Sequence, residues 1–409
     1  MTQTSAPPPT PADSHAESTS LGERNFVLVC LSHVLGYFSN SLVNPVLPLF
    51  LVAQGNGESF VGLVLAAFSV VSFAVRLPTG QMVDAGKVRA TLTAGGLFLG
   101  LAPLAYLVPF TPLLFLARGV HGLGWACLNV AGSAWAGMLA PSARRAEALG
   151  YFTMAQRIGG TAAQVLALWL AARVGFEAVF VLAGVMGFVT AAGVRFTDPR
   201  RAFVRAAGAP GSVWRSVLNV RALFAIEKAA LLGAGLQTLS IMTAPAAFIY
   251  IPLYFKSQAI DGVELYFLAI GTVGILGRWL VGPWADRLGR MKSVAVGFAL
   301  QLIGLTLLGF EPGFAGIMLA GVLHTFGNVC SEPSLYATAL DRSPSDRRGA
   351  AMATYTSAFQ LGSGIGAALG GVIIERWGYE VMYRATLVPV LVGLAWLAVQ
   401  ARLSARAGK

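Results

Sequence analysis

Residues 76–84 read Arg-Leu-Pro-Thr-Gly-Gln-Met-Val-Asp and residues 278–286 read Arg-Trp-Leu-Val-Gly-Pro-Trp-Ala-Asp, so the frame Arg-x3-Gly-x3-Asp returns after 202 positions. The surrounding sequence keeps nearly the same offset. His121-x2-Gly124-x2-Cys127 returns at 203 as His324-x2-Gly327-x2-Cys330, followed by Pro141-Ser142 as Pro344-Ser345 and Arg144-Arg145 as Arg347-Arg348. At 204, Glu23-Arg24 is answered by Glu227-Lys228 and Pro48-Leu49 by Pro252-Leu253. A near-constant offset at several separate sites marks an internal duplication.

Composition says what kind of unit is duplicated. Of 409 residues, 56% are hydrophobic and 11% charged, with a mean hydropathy of +0.68; a soluble domain carries about 25% charged residues. So few charges cannot coat a water-facing surface, which excludes an ordinary soluble enzyme. Apolar stretches long enough for the ~30 Å hydrocarbon core recur at about 25–52, 59–83, 91–108, 112–138, 148–173, 177–195, 229–254, 263–284, 292–310, 314–338, 350–374 and 380–402. The expectation is an all-α integral membrane protein with twelve transmembrane helices in two pseudo-symmetric six-helix bundles, residues 23–196 and 227–409. A basic linker, 197–226, joins them, and a solvated tail, 1–22, precedes them without the apolar core of a secretory signal.

The net charge of +11 does not form a stripe among aromatics, so a nucleic-acid partner is not expected. Twenty-one Lys and Arg fall in the tails and even-numbered connections, against Arg173, Lys256, Arg376 and Arg384 on the opposite side. The positive-inside bias therefore places both termini in the cytoplasm. Cys30, Cys127 and Cys330 lie inside apolar runs without CxxC spacing, so neither metal nor disulfide is expected, and no cofactor. Walker loops, nucleophile elbows and HExxH strings are missing, which leaves ATP-driven pumping and hydrolysis without residues to perform them. Duplicated bundles facing one another enclose a midplane cleft, the way secondary transporters are built.

The string Gly282-Pro283-Trp284-Ala285-Asp286-Arg287-Leu288-Gly289-Arg290-Met291-Lys292 resembles the G-x-x-x-D-R-x-G-R signature of the major facilitator superfamily. The resemblance implies a conformational latch at Gly282, Asp286, Arg287, Gly289 and Arg290. The first-half copy keeps Gly80 and Asp84 but carries Ala85 in the arginine position, with its second glycine one place early. Arg118-Gly119-Val120-His121-Gly122-Leu123-Gly124-Trp125-Ala126 is similar to the family's R-x-x-Q-G-x-G-A-A pattern, whose arginine is associated with proton coupling. The antiporter signature of the fifth span is missing; Gln156-Arg157-Ile158-Gly159-Gly160-Thr161 keeps only the glycine pair.

An ionisable residue inside a span costs at least ~2.5 kcal/mol and so should face a partner or a wet cavity. Arg118 with Trp125 and Asn129 forms one such face, Arg157 with Gln164 another, and Glu332 shares a stripe with Asn328 and His324. An unpaired carboxylate at that depth favours its protonated form and is suited to carrying a proton. Proton coupling is therefore assigned to Glu332 aided by Arg118, His324 and His121, the alternative being a structural ion pair with Arg118 or Arg157. The expected substrate cavity comprises His33, Tyr37, Asn40 and Asn44 on a first span interrupted by Pro45 and Pro48, with Trp125, Asn129, Arg157, Gln164, Gln237, Asn328, Tyr355 and Gln360. The partners expected are a small-molecule substrate, protons and the lipid bilayer, with the chain a monomer. The leading function is alternating-access, proton-coupled export of a drug or metabolite. Import of an anionic metabolite, and a non-transport sensor or lipid-handling scaffold, are the alternatives.

Overall fold

A computed structural model describes residues 24–108, 110–140, 144–197, 226–344 and 348–407, and every regular element among them is helical. The tail 1–22 and nearly all of the linker lie outside the described residues. The first copy gives α1 (Arg24–Ala53), α2 (Glu58–Met82), α3 (Val88–Ala105), α4 (Thr111–Leu139), α5 (Arg145–Arg173) and α6 (Phe176–Val194). In the second, α7 is three segments (Leu231–Ile241, Ala244–Phe248, Ile251–Ser257), followed by α8 (Val263–Leu288), α9 (Arg290–Leu308), α10 (Gly313–Asp341), α11 (Arg348–Ala385) and α12 (Leu387–Ala407).

Ten described stretches are long and apolar enough to cross a membrane. α5 falls short because Glu147, Gln156, Arg157 and Gln164 interrupt it. The last stretch, Ala351–Leu403, has 53 residues and would run about 80 Å, more than twice the hydrocarbon thickness. Gly378, at φ 83° and ψ 174°, breaks it in two. Counting α5 and dividing at Gly378 gives twelve crossings. Prolines act unevenly: Pro245 and Pro252 each open a new segment of α7, where a missing N–H needs no acceptor. Contrary to expectation, Pro45 and Pro48 do not interrupt α1, which runs unbroken because packed neighbours tolerate the lost bonds.

The duplication is visible in the packing. In the first half α3 packs on α4 and α6, α2 on α4, and α1 on α4, α5 and α6; in the second α9 packs on α10 and α12, α8 on α10, and α7 on α10, α11 and α12. Each pairing recurs six helices later. Between the halves, α2 meets α11 and α5 meets α8, a symmetric pair, while α1 meets the last segment of α7. Outward-facing positions such as Leu63, Val70, Leu116 and Leu280 are exposed and apolar, as a lipid-facing surface requires.

Tight contacts between the halves concentrate toward the end bearing the α1–α2 connection. A Cβ on Gly371 of α11 would fall 2.2 Å from the Glu58 carbonyl oxygen, one on Gly62 of α2 2.5 Å from that of Ala367, and one on Gly271 of α8 2.2 Å from Thr161 Cγ2. Beyond these, Glu375 of α11 accepts a 2.7 Å hydrogen bond from the Ser59 backbone N–H at the start of α2. Toward the other, basic end, Gly80 has nothing within 4 Å of such a Cβ. There α5 and α8 flank a cavity of about 290 Å³ lined by Glu147, Tyr151, Met154, Arg157, Arg278 and Trp279 among others.

Candidate functional site

At the inner edge of that cavity stands an ion-pair cluster built by both halves. Arg278 Nη2 of α8 donates to Glu332 Oε2 of α10 at 2.8 Å, and Arg157 Nη2 of α5 lies 3.6 Å from the same oxygen. Arg157 belongs to the first half, Arg278 and Glu332 to the second, so Glu332 is not the unpaired carboxylate expected from sequence but is ion-paired, with Arg157 as expected in the alternative and with Arg278 as well. The three side chains are 33–44% exposed, so water reaches the cluster and screens it. From α11, the Tyr355 hydroxyl lies 3.1 Å from the Glu332 carbonyl oxygen and 2.9 Å from Gln237 Oε1, and donates to one at a time.

Arg278 was not among the residues singled out as a site from sequence, yet the signal was there. Of 29 Lys and Arg, all but Arg76, Arg118, Arg157 and Arg278 lie in the tails and connections or at or near the end of a span. The cost argument applied to Arg118 applies equally to Arg278. Grouping Arg278 with the neighbouring loop motif hid it.

Arg118 is placed elsewhere. Only 3% exposed, it donates to Asn44 Oδ1 at 3.3 Å, lies 3.3 Å from His121 Nδ1, and stacks 4.4 Å over the Phe68 ring. No carboxylate pairs with it among the described residues, so its expected partnership with Glu332 is corrected to a cation-π and hydrogen-bond setting inside the first half. His121 is buried against Tyr106, 3.2 Å away. His324 is likewise buried, its Nε2 2.8 Å from Thr243 Oγ1. Among the described residues neither histidine hydrogen-bonds to Glu332.

Several expected cavity residues serve packing. His33 is buried against Phe152, ring centroids 4.5 Å apart. Asn40 is 3% exposed. Asn328 belongs to a network with Ser240 and Gln301, in which Gln301 Nε2 donates to Ser240 Oγ at 2.9 Å and Asn328 Oδ1 at 3.3 Å. This ties α7, α9 and α10 together, and Gln301 escaped notice because it stands alone in an apolar run. Tyr250, just before the last segment of α7, is buried and donates to the Ala367 carbonyl. By contrast Tyr37, Trp125, Asn129 and Gln164 are half-buried, the first two with centroids 5.0 Å apart.

The loop motifs make contacts within their own halves. Arg290 pairs with Asp341 at the end of α10, and Arg89 Nη2 donates to the Arg195 carbonyl at 2.6 Å. Gly289 and Gly86 adopt φ of 89° and 78°, a region other residues rarely enter. Asp84 and Arg287 are exposed; the side-chain setting of Gly282 and Asp286 lies outside the described residues.

Two six-helix bundles related by an internal repeat, with ionisable groups meeting at their interface, are the architecture of a membrane transporter. The Major Facilitator Superfamily model matches residues 29–314 and 275–407, and the chain belongs to that family. It is 21% identical over 388 residues to an uncharacterized MFS-type transporter of Methanocaldococcus jannaschii, covering 91% of this chain and 97% of that one. It is 30% identical over 154 residues, 36% of this chain and 37% of the other, to the uncharacterized MFS-type transporter YhhS of Escherichia coli. Among solved structures, the inward-open xylose transporter XylE of E. coli superposes with a TM-score of 0.69 at 15% identity, over 90% of this chain and 94% of that one. The nucleoside transporter NupG gives 0.70 at 14% identity, over 91% and 99%.

Proposed function

We propose that this transporter exports a small organic molecule by alternating access and draws its energy from protons exchanged at Glu332. The observation supporting this is the sharing of one carboxylate between an arginine of its own half and an arginine of the other. A proton on Glu332 removes the charge that holds Arg157, so it loosens a tie across the interface. Loss of that proton restores the tie. A group whose charge state favours one arrangement of the halves is what links proton movement to rocking.

The basic connections, under the positive-inside bias, put the cavity between α5 and α8 on the cytoplasmic side. That is where an exported molecule is collected. One charge crossing 100 mV supplies ~2.3 kcal/mol, enough for a roughly fifty-fold concentration ratio.

The test is reconstitution into liposomes containing a pH-sensitive dye, with organic acids, nucleosides, sugars and hydrophobic cations offered in turn. Transported compounds should change luminal pH in the wild type, and Glu332→Gln should abolish the proton signal while leaving the protein folded. Flux indifferent to an imposed pH gradient, or coupled flux unchanged in Glu332→Gln, would overturn the proposal.

A further inference from the structure

The register relating α4 to α10 also relates α5 to α11: Arg157-Ile158-Gly159-Gly160-Thr161 maps at 203 onto Gln360-Leu361-Gly362-Ser363-Gly364. The contacts across the interface obey it. Thr161 packs on Gly271, and its mate Gly364 packs on Ser69, which is the mate of Gly271 at 202. The cluster of Arg278, Glu332 and Arg157 therefore has a symmetric counterpart in Arg76, Asn129 and Gln360. An arginine stands in both. Only one of them has a carboxylate beside it.

Arg76 shares a helical face with Leu65, Ser69 and Ser72, all buried, and lies away from the lipid-facing Leu63 and Val70. Half-buried, it makes no hydrogen bond or ion pair among the described residues. Gln360 is 5% exposed and its amide has no hydrogen-bond partner either. Asn129 spends one amide hydrogen on the Trp125 carbonyl, 3.0 Å away, and keeps the other. A cation at membrane depth with no counter-charge is costly, and two amides with hydrogens to donate cannot neutralise it. An anion can.

We propose that Arg76, Asn129 and Gln360 form an anion subsite that takes the carboxylate of the transported molecule, in the place that Glu332 fills beside Arg278. The cargo is then a small organic carboxylate whose apolar body rests on Trp125, one turn from Asn129, and on Tyr37 against it. This rests on the transporter reading but not on proton exchange at Glu332.

The experiment measures thermal unfolding and tryptophan fluorescence of the purified full chain in detergent, at neutral pH, with benzoate, salicylate and indole-3-acetate against the neutral benzamide. The carboxylates should stabilise the wild type and benzamide should not. Arg76→Gln should weaken binding roughly ten- to hundredfold, and Arg76→Lys should recover it only in part because the bidentate geometry is lost. Gln360→Glu should abolish binding, since its own carboxylate then occupies Arg76; this second variant covers the case in which Arg76→Gln misfolds. Benzamide binding as well as benzoate, wild-type affinity in folded Arg76→Gln or Gln360→Glu, or no response of the wild type to any of the acids would overturn the proposal. Because no pH gradient is applied, failure here leaves coupling at Glu332 untouched. Benzoate binding by an uncoupled Glu332→Gln would likewise leave the subsite standing.

Discussion

Replacing Gly371 with alanine adds one methyl group at one of the two tightest approaches between the halves, the one made by backbone. The new carbon would lie 2.2 Å from the Glu58 carbonyl oxygen, with the Tyr250 hydroxyl at 2.9 Å. Ordinary contact needs roughly 3.5 Å, so α2 and α11 must part by about 1 Å. The obstacle is backbone, which has no rotamer to retreat into. Overpacking of this kind costs ~1–3 kcal/mol, and since the cost falls only on the state in which these helices touch, it should shift the closed-to-open ratio at this end roughly 5- to 150-fold. Spin labels at Gln54 and Lys256, in a background lacking Cys30, Cys127 and Cys330, read the separation across that end by pulsed electron resonance. Gly371→Ala should add a longer-distance population. Gly80→Ala, with nothing within 4 Å of the added atom, is the matched control. Superimposable distance distributions for Gly371→Ala, Gly80→Ala and the parent would refute the reasoning.

Three further outcomes follow from the geometry. Arg157→Gln should leave thermal stability nearly unchanged, because Glu332 keeps its 2.8 Å partner Arg278, whereas Arg278→Gln should cost roughly 1 kcal/mol, modest because the pair is partly solvated; detergent melting curves of both variants check this. Gln301→Leu strips hydrogen bonds from Ser240 and Asn328 and should lower stability by ~1–3 kcal/mol per buried group left unpaired, read the same way. At the rim bearing the α1–α2 connection, the Ser59 backbone N–H holds the Glu375 carboxyl below the usual carboxylate range. Its contribution to closure is therefore complete above that range and is lost as pH falls through the lowered value. Acidification should lengthen the Gln54–Lys256 distance, and Glu375→Gln should remove that pH dependence.

The span count and the repeat were legible because both rest on composition and on residue order, which folding does not alter. The destination of polar side chains was less so, for a geometric reason. His324, Asn328 and Glu332 look like one stripe, but each step of four residues advances about 40° around the helix. Across the three positions the stripe winds through ~80°, from the interior of the second bundle, where His324 meets Thr243, to the cleft, where Glu332 meets Arg157. Similarly His33 and Asn40 begin a run on α1 that ends at Asn44, so the same stripe contains buried packing residues and a partner of Arg118. A periodicity shows that residues are near one another on a helix; which neighbour they face depends on packing. The glycines that seal the halves were also missed, since a glycine within an apolar run reads the same whether it faces lipid or another backbone.

Comparing the two copies separates these roles better than either copy alone. Duplicated units that superpose must share their packing, so a position needed for the scaffold tolerates only side chains that fit in both halves. Gly159 and Gly362 agree, and the small-residue contacts Thr161 with Gly271 and Gly364 with Ser69 fill equivalent places. Charge is under no such restraint. Arg157 against Gln360 and Glu332 against Asn129 are changes that the fold permits and symmetry does not explain. They give one place in the fold a carboxylate held between two cations, and its equivalent under the repeat an arginine and two amides. A binding site that were symmetric in charge would present the same surface to a molecule in either orientation. Under the two proposals above, this one distinguishes a charged end from an uncharged one, and Glu332, ion-paired to Arg278 and Arg157, stands apart from the anion subsite at Arg76. Under those proposals, occupation of either bears on the interface between the halves at equivalent positions, Arg157 on α5 and Gln360 on α11.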